Sequence, residues 1–366
     1  EDALSDAFAK ALIHWPNDMP RNPEAWLLTV ARNRLIDVQR RDARIDFRDE
    51  VPEPHQPEIP TIDIPDDRLK LLFVCAHPAI DPRMHTPLML QTVLGLDAEV
   101  IARAFLLPHT TMAKRLVRAK RKIRDTAVAF QIPGVEELPG RLNAVLEAIY
   151  GAFSQDWMGE GPLAEEALFL ATLLVELMPE DAEVLGLAAM IAFSLSREDT
   201  RTENGQFVPL EDQEPSRWNT ALIQQATSYL GRAQSMGSLG RFQLEAAIQS
   251  VHADRLHTGV TNWGALVQLH LGLSHFAPTI GATVSYAAAL GKAGRAEDGL
   301  ATLRMIDDDV RAGFGPAQAT HAYLMSELGR LQDGVIAYEA AIALTPELPL
   351  RRHLESKRDE LLVRLT

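Results

Sequence analysis

The sequence predicts an all-α protein. No segment alternates apolar and polar residues over the length of a strand, whereas apolar residues recur at helical spacing along most of the chain. The C-terminal two thirds are rich in Ala and Leu and are divided by Gly and Pro, as in helical-repeat proteins. With 366 residues, 46% of them hydrophobic, the chain is long enough for two or three domains with substantial cores.

Two helices are predicted within residues 1–48, at Ser5–Trp15 and Asn22–Arg41. The second has a well-marked start. Asn22 suits the N-cap, Pro23 suits the first helical position, and Glu24 places negative charge in the first turn. Residues 1–48 are therefore predicted to form one helical unit.

A linker is predicted at residues 49–65. The stretch from residue 49 to residue 67 contains seven acidic residues and five prolines, and neither Lys nor Arg. Proline prevents a long helix, and the few apolar side chains leave little surface to bury. The linker separates the first unit from a second helical unit, predicted at residues 66–129.

A short helix and a longer basic helix follow one another in this second unit. In the short helix, LDAEVIARAF, we expect Val100, Ile101 and Ala104 to face inward. A turn at Leu106–Pro108 joins it to the longer helix. This arrangement is typical of a helix-turn-helix, although the turn lacks the Gly that is common there.

The longer helix separates apolar from basic residues when it is drawn at 100° per residue. The predicted inward stripe comprises Met112, Leu116, Ala119 and Ile123. The predicted outward side comprises Thr110, Lys114, Arg118 and Arg121. Residues 107–124 hold seven Lys or Arg and no acid. The pattern favours DNA binding, with a solvated face or a partner-binding helix as the alternatives.

The charge of the chain is divided unevenly. Residues 1–129 contain 19 basic and 19 acidic residues, whereas residues 130–366 contain 17 and 31. The whole net charge of −14 therefore belongs to residues 130–366. An acidic region of this kind would repel DNA, so we do not expect a second DNA-binding module there.

Two segments near the C-terminus repeat at an offset of 35 residues, at Val284–Asp307 and Thr320–Leu344. They align on the Gly-Arg pairs at 294–295 and 329–330, and each has a helix before and after the turn. The period is close to that of the tetratricopeptide repeat. A looser third copy is predicted at Ser228–Val251. Chance Gly-Arg pairs in an all-helical chain are the alternative.

No enzyme, metal or cofactor site is predicted. The sequence contains no GxSxG, GxxxxGK[ST], HExxH or CxxC motif. Cys75 lies near His77 and His85 but lacks a fourth ligand at suitable spacing, so we expect a buried thiol. The aromatic residues of the C-terminal region are expected to be core residues: Trp218, Tyr229 and Trp263.

One cysteine, no long apolar run and no signal-peptide pattern together favour the cytoplasm as the compartment.

The motifs resemble the extracytoplasmic-function sigma factors of the sigma-70 family. DAFAKAL and NPEAWLLTVARNRLIDVQRR resemble region 2, and IPDDRLKLLFVCAHPAI with ARAFLLPHTTMAKRLVRAKRKIR resembles region 4. A subgroup with a long C-terminal extension of tetratricopeptide-like repeats is the most similar. The resemblance implies core RNA polymerase and promoter DNA as partners, and no catalysis by the sigma factor itself.

The resemblance assigns the −35 element, read as duplex DNA, to the basic helix. The −35 residues carried over are His109, Thr110, Ala113, Lys114, Arg115 and Arg118. Arg121, Lys122 and Arg124 fit neutralisation of the DNA backbone. The residue types agree with these roles, because Arg and Lys hydrogen-bond guanine and phosphate.

Region 2 is expected to bind core polymerase and to capture the melted −10 strand. The −10 residues carried over are Trp26, Arg32, Asn33, Asp37, Arg40 and Arg41, beside the loop His14–Pro23. The polymerase-binding residues are Asp2, Asp6 and Phe8. Asn33 can offer a donor and an acceptor to an extruded base, with an ordinary exposed Asn as the alternative. Trp26 can stack on a base, but its helical position favours a core role.

The chain departs from the family in two places. It begins in the middle of region 2, so the first helices of that region are expected to be missing and polymerase binding to be weaker. Cys75-Ala76 stands where the subgroup usually has a Cys pair, which argues against a redox or metal role there.

Residues 130–366 are predicted to be a helical extension that regulates or supports the sigma core and binds a protein partner. In one hypothesis the acidic extension masks the basic helix; in the other it is a scaffold. The first alternative to a sigma factor is a one-component helix-turn-helix regulator with a ligand- or protein-sensing repeat domain. The second is a repeat scaffold whose basic helix is incidental.

Overall fold

A computed structural model of the chain describes residues 64–125, 132–156 and 161–366. The chain divides into two compact units, Glu1–Ile59 and Pro60–Thr366, and every described residue belongs to the second. The predicted helices of residues 1–48, with their −10 and polymerase-binding residues, lie outside the described residues. So does nearly all of the predicted linker.

The described residues are helical almost throughout, which confirms the all-α prediction. The first group of helices is α1 (Asp67–Cys75), α2 (Pro82–Thr92), α3 (Ala98–Ala104) and α4 (His109–Asp125). The next group is α5 (Leu138–Gln155), α6 (Leu163–Leu177), α7 (Ala182–Leu195), α8 (Thr220–Ser235) and α9 (Arg241–Ala253).

The remaining helices are α10 (Arg255–Thr258), α11 (Trp263–Phe276), α12 (Ile280–Lys292), α13 (Ala296–Leu303), α14 (Asp308–Gly313), α15 (Gly315–Glu327), α16 (Leu331–Leu344) and α17 (Leu348–Leu365). The strands of the described residues are β1 (Thr202–Glu203) and β2 (Gln206–Phe207), which pair antiparallel with Thr202 opposite Phe207. No described helix is long and apolar enough to span a bilayer.

Acidic and amide side chains fix the starts of several helices. Asp66 accepts hydrogen bonds from the backbone N–H groups of Arg68 and Leu69 before α1, at 2.8 and 3.2 Å. Asp181 does the same before α7, and Asn219 before α8. Such caps accept hydrogen bonds from N–H groups that have no partner inside the helix. Each cap typically stabilises the protein by about 1 kcal/mol.

One hydrophobic core joins α1–α4 to α5–α9. Helix α5 packs against α2 and α1. The buried guanidinium of Arg141 on α5 donates from Nη1 to the carbonyl oxygen of Phe73 on α1, at 3.1 Å. The predicted domain boundary at residues 129–130 stays a prediction, but the apolar core continues across it.

Helix α7 is the centre of the second group, because α6, α8 and α9 all pack on it. Nearly every residue of α7 is buried. Gly186 permits a close approach of the two backbones: a Cβ there would lie 2.6 Å from the backbone nitrogen of Gln243 on α9. The sequence signal for this crossing is the small residue itself.

The predicted 35-residue repeat corresponds to two similar helical hairpins, α12–α13 and α15–α16. Their turns contain Gly294 at φ 77° and Gly329 at φ 71°, a conformation that favours glycine. A Cβ on Gly299 would lie 2.8 Å from a backbone oxygen of α12, and one on Gly334 would lie 3.4 Å from the corresponding oxygen of α15.

The predicted third copy at Ser228–Val251 differs from these hairpins. Here the left-handed glycine is Gly237, whereas Gly240 has φ −143°. Helices α8 and α9 both pack on α7. The Gly-Arg pair is a local feature of the turn, so it could not predict that α8 and α9 both pack on α7.

Candidate nucleic-acid interface

Helices α3 and α4 follow one another across a tight turn, in the order predicted for a helix-turn-helix. Helix α3 ends at Ala104 and α4 begins at His109, immediately after Pro108. The backbone N–H of Leu107 donates to the carbonyl oxygen of Ala102 at 2.9 Å, which closes the turn. Leu106 adopts φ 51°, in the left-handed region where a non-glycine residue costs about 1 kcal/mol. The predicted turn therefore places a leucine at the position that favours glycine.

The predicted inward stripe of α4 is confirmed. Met112 and Leu116 are 1% and 2% exposed, and Ala119 and Ile123 are partly buried against the same core. The stripe holds α4 on α3 and α2, and leaves the opposite side of α4 to solvent.

The prediction for α3 is correct for Ile101 and for Val100, which packs half-buried against the same core, but wrong for Ala104. Ala104 is exposed and Val100 is half-buried, whereas Ala102 is buried. The inner face of α3 runs through Ala98, Ile101 and Ala102, at the i, i+3, i+4 spacing of a helix face. A seven-residue helix is too short for the sequence pattern alone to fix which face is buried.

The seven cations of α4 are all exposed, and we call this surface the basic face. Its residues are Lys114, Arg115, Arg118, Lys120, Arg121, Lys122 and Arg124. Among the predicted −35 residues, His109 and Thr110 at the start of the helix are also exposed, and Ala113 is half-buried. The structure therefore brings the six −35 residues and the three cations predicted to neutralise the DNA backbone onto one helix, and all of them except Ala113 are exposed. Their role in DNA contact stays a prediction.

Helix α2 adds a cation that sequence reasoning missed. A cleft of about 370 Å³ lies between the start of α2 and the basic face, and Arg83 of α2 lines it with Arg115, Arg118 and Lys122 of α4. The N-cap residue Asp81 accepts from the backbone N–H of Arg83 at 3.0 Å and fixes the start of α2. Arg83 lies 32 residues before Arg115, so no periodicity links the two.

Cys75 is buried, as predicted. Its Sγ lies 3.8 Å from Oγ1 of Thr92, and burial raises the pKa of the thiol. His85 directs Nε2 at the carbonyl oxygens of His77 and Ile80, at 3.2 and 3.1 Å. Within residues 64–125, 132–156 and 161–366, no three His, Cys, Asp or Glu side chains are grouped to hold a metal ion.

Comparison with known proteins adds two family matches. Residues 1–45 match the family described as Sigma-70 region 2. Residues 141–234, from α5 to α8, match a family of unknown function, DUF6596. No solved structure matches the chain.

The region 2 match supports a sigma-70 family member and a sigma-factor-like role in transcription initiation. More particularly, the chain belongs to one family with an uncharacterised protein of Rhizobium meliloti strain 1021, R00370. The two are 31% identical over 384 residues, which cover 99% of this chain and 89% of R00370.

Proposed function

We propose that this chain is a sigma factor of the extracytoplasmic-function type, which directs core RNA polymerase to specific promoters. The observation that carries the proposal is the exposed basic face on a helix-turn-helix, downstream of the region 2 match. Promoter recognition requires both a polymerase-binding region and a helix that reads duplex DNA. The chain is proposed to act in the cytoplasm and to carry out no catalysis itself.

In this proposal α4 enters the major groove at the −35 element. The major groove, about 12 Å wide, admits one α-helix. His109, Thr110 and Ala113 at the start of α4 reach base edges, and Lys114, Arg115 and Arg118 contact bases or phosphates. The later cations neutralise the backbone, with Arg83 as an added phosphate contact from α2.

Residues 1–45 are proposed to bind core polymerase and the single-stranded −10 element. Their match to region 2 supports this role. The residues assigned to each contact are those given by the resemblance above, with Asn33 and the Arg residues after it on the −10 strand.

The extension is proposed to support the sigma core and to bind a protein partner through tetratricopeptide-like repeats. Two observations favour support over masking. Arg141 of α5 holds the carbonyl oxygen of Phe73 on α1, within a shared core. The basic face is exposed with the extension in place. The hairpins repeated at 35 residues support the repeat assignment.

In vitro transcription with core polymerase tests the proposal. The full chain is added to core polymerase and a library of genomic promoter fragments, and RNA start sites are mapped. We expect specific starts that depend on the chain, and their loss in Arg118→Ala. Arg330→Ala, an exposed arginine of the extension, is the matched control and should keep them.

A pull-down with core polymerase separates the two candidate classes. A sigma factor should bind core polymerase without DNA. Promoter-fragment binding without any polymerase binding would instead identify a one-component regulator and refute the proposal.

A further inference from the structure

The connection between α7 and α8 contains a closed loop at residues 202–212, which we call the strap. Its two ends are tied together by Oγ1 of Thr200, which donates to Oε1 of Gln213 at 3.0 Å. Within the loop, the backbone N–H of Val208 donates to the carbonyl oxygen of Arg201 at 2.8 Å. Arg201 and Gln213 are buried, so the strap is an Ω-loop with fixed ends.

The side chains of the strap itself add little to the hydrophobic core. Every side chain from residue 202 to residue 212 is exposed or half-buried, and none is buried. Segments with few buried contacts open at a lower free energy than the core that surrounds them. The strap can therefore leave its position without unfolding α7 or α8.

The strap lies across helices that are far apart in sequence. Glu211 forms an ion pair with Lys292 on α12, with Nζ 2.5 and 2.7 Å from its two carboxylate oxygens. The ring of Phe207 meets that of His353 on α17 edge-on, with centroids 5.4 Å apart. Arg255 of α10 donates to the backbone carbonyls of Leu210 and Glu211.

These contacts are the kind that recognise an acidic peptide, here with Leu210–Asp212 in a turn of 3-10 helix. Arg255 donates hydrogen bonds to main-chain carbonyls, which every peptide has, and Lys292 binds one carboxylate. The strap supplies three acids, Glu203, Glu211 and Asp212, and neither Lys nor Arg. Lys292 also stacks over the ring of Tyr323 on α15, 4.9 Å from its centroid, which fixes the ammonium for its carboxylate.

The strap does not fill the surface that it covers. A cleft of about 210 Å³ remains between the strap and the helices. Its lining residues are Pro209, Leu210 and Glu211 of the strap, with His252, Thr261, Trp263 and Lys292 opposite. A peptide with a larger apolar side chain in place of Leu210 would bury more surface here than the strap does.

We propose that this face, formed by α9–α12 and α17, is a docking groove for an acidic, proline-containing turn segment of a partner protein. The strap occupies the groove in cis, and a partner must displace it. The groove therefore binds a partner with an affinity reduced by the small fraction of molecules in which the strap is open. The inference gives the chemistry of the partner assigned to the extension under the proposed function, and it does not depend on promoter recognition by α4.

A labelled peptide with the sequence of residues 208–215, VPLEDQEP, tests the groove in trans by fluorescence anisotropy. Glu211→Lys in the full chain places a cation beside Lys292 and opens the strap. We expect this variant to bind the peptide roughly five- to tenfold more tightly than the original chain. Asp212→Lys changes the charge equally, one residue from the ion pair, and should bind like the original chain.

A charge swap identifies the contact. Lys292→Glu should lose binding of the original peptide and gain binding of one in which Lys replaces the residue matching Glu211. Equal peptide affinity for the original chain and both Lys variants would overturn the proposal.

Hydrogen exchange on the unaltered chain tests displacement of the strap if a variant does not fold. Saturating peptide should speed exchange of amides in residues 202–212, because the strap leaves the groove. Unchanged or slower exchange there would refute displacement. Promoter-directed transcription is measured on the same samples, so failure of peptide binding and failure of the sigma-factor proposal are distinguishable.

Discussion

Positive charge is concentrated in two places in the described residues, and the two are used in opposite ways. On α4 the seven cations of the basic face are exposed. Around α7–α10 the side chains of Arg197 and Arg201 are buried, and Arg255 lies beside them. Arg197 and Arg255 both lie over the ring of Trp218, at 5.9 and 5.7 Å from its centroid.

The buried arginines bind the protein itself. Arg201 donates to the carbonyl oxygen of Ser194 at the end of α7, and Arg197 donates to Gln249 at 2.5 Å. Burial, followed by the charges of Arg201 and Arg255, lowers the pKa of Arg197 to about 9. The number of cations in a region therefore does not identify an interface. Their accessibility does, and it favours α4.

The largest expected effect is the loss of stability when an enclosed, ion-paired arginine is removed. Arg241 forms ion pairs with Glu147 and Glu245 and lies over the ring of Tyr150, 4.7 Å from its centroid. Arg241→Ala leaves two carboxylates without their cation, one of them buried enough that burial raises the pKa of Glu245. We expect a loss of about 3–5 kcal/mol in unfolding free energy, measured by urea denaturation.

Arg232→Ala on α8 is the matched control for Arg241→Ala. Arg232 is exposed, so the change should stay within about 0.5 kcal/mol. If both variants lost the same stability, burial would not distinguish the two classes of arginine.

The next largest effect is the loss of DNA affinity when exposed cations of the basic face are removed. Simultaneous substitution of Lys114, Arg115 and Arg118 by Ala should lower affinity for a promoter fragment roughly 100-fold, because each of these cations binds a phosphate or a guanine in the proposed complex. The slope of log affinity against log salt should shrink by about 0.9 for each phosphate that is no longer neutralised. The thermal melt should not change, since the three side chains are exposed.

The control for this triple variant makes the same charge change in the extension. Arg295, Arg304 and Arg330 are exposed and are each replaced by Ala. DNA affinity that fell equally in both triple variants would show that net charge, and not the basic face, governs binding.

Acid should weaken the extension by a smaller amount. Burial lowers the pKa of His270 to about 4, and burial with the charge of Arg197 lowers that of His252 to about 3. The unfolded chain binds these protons near pH 6.5, whereas the folded chain stays neutral until about pH 4 or below. Unfolding free energy should therefore fall by roughly 1.4 kcal/mol per pH unit per histidine below about pH 6.5.

Urea denaturation at two pH values checks this prediction with His270→Gln. At pH 8 the histidines are neutral in both states, so the difference from the original chain reports packing alone. At about pH 5.5 the variant should lose roughly 1.4 kcal/mol less than the original chain. An equal loss in both chains would mean that His270 does not control the acid response.

The smallest effect lies in the turn before the basic face. Leu106→Gly relieves the left-handed backbone at φ 51° and should raise the unfolding free energy by up to about 1 kcal/mol. Leu71→Gly, at an exposed position inside α1, should lower it by about 1 kcal/mol. Thermal melts measure the stability of both variants. A lower melting temperature for Leu106→Gly than for the original chain would show that the backbone at Leu106 is not strained.

The sequence was most predictive where one helix is long and its two sides differ. The stripe of Met112 and Leu116 follows from a 3.6-residue period over α4, and the structure confirms it. The prediction that Ala104 faces inward was wrong, because α3 has only seven residues and its sequence pattern does not fix the buried face. Arg83 was missed because the packing of α2, and not any local pattern, brings it to the basic face.

The repeat shows the same limit. Glycines that a turn requires, at 294 and 329, can be recognised by their spacing. The Gly-Arg pair at 240–241 has the same letters, but α7 lies against both of its helices and the chain there packs differently. The strap was not predicted at all, because its contacts with α12 and α17 join residues 81 or more positions apart.

Local sequence was enough to specify the all-α class, the two sides of α4 and the 35-residue spacing, because helix periodicity and backbone turns depend on neighbouring residues. Which arginines face solvent and which are enclosed depends instead on how the helices pack. Arg118 and Arg197 are alike as letters, but exposure is a property of everything packed around a side chain. The same packing placed the strap over the groove that we assign to a partner.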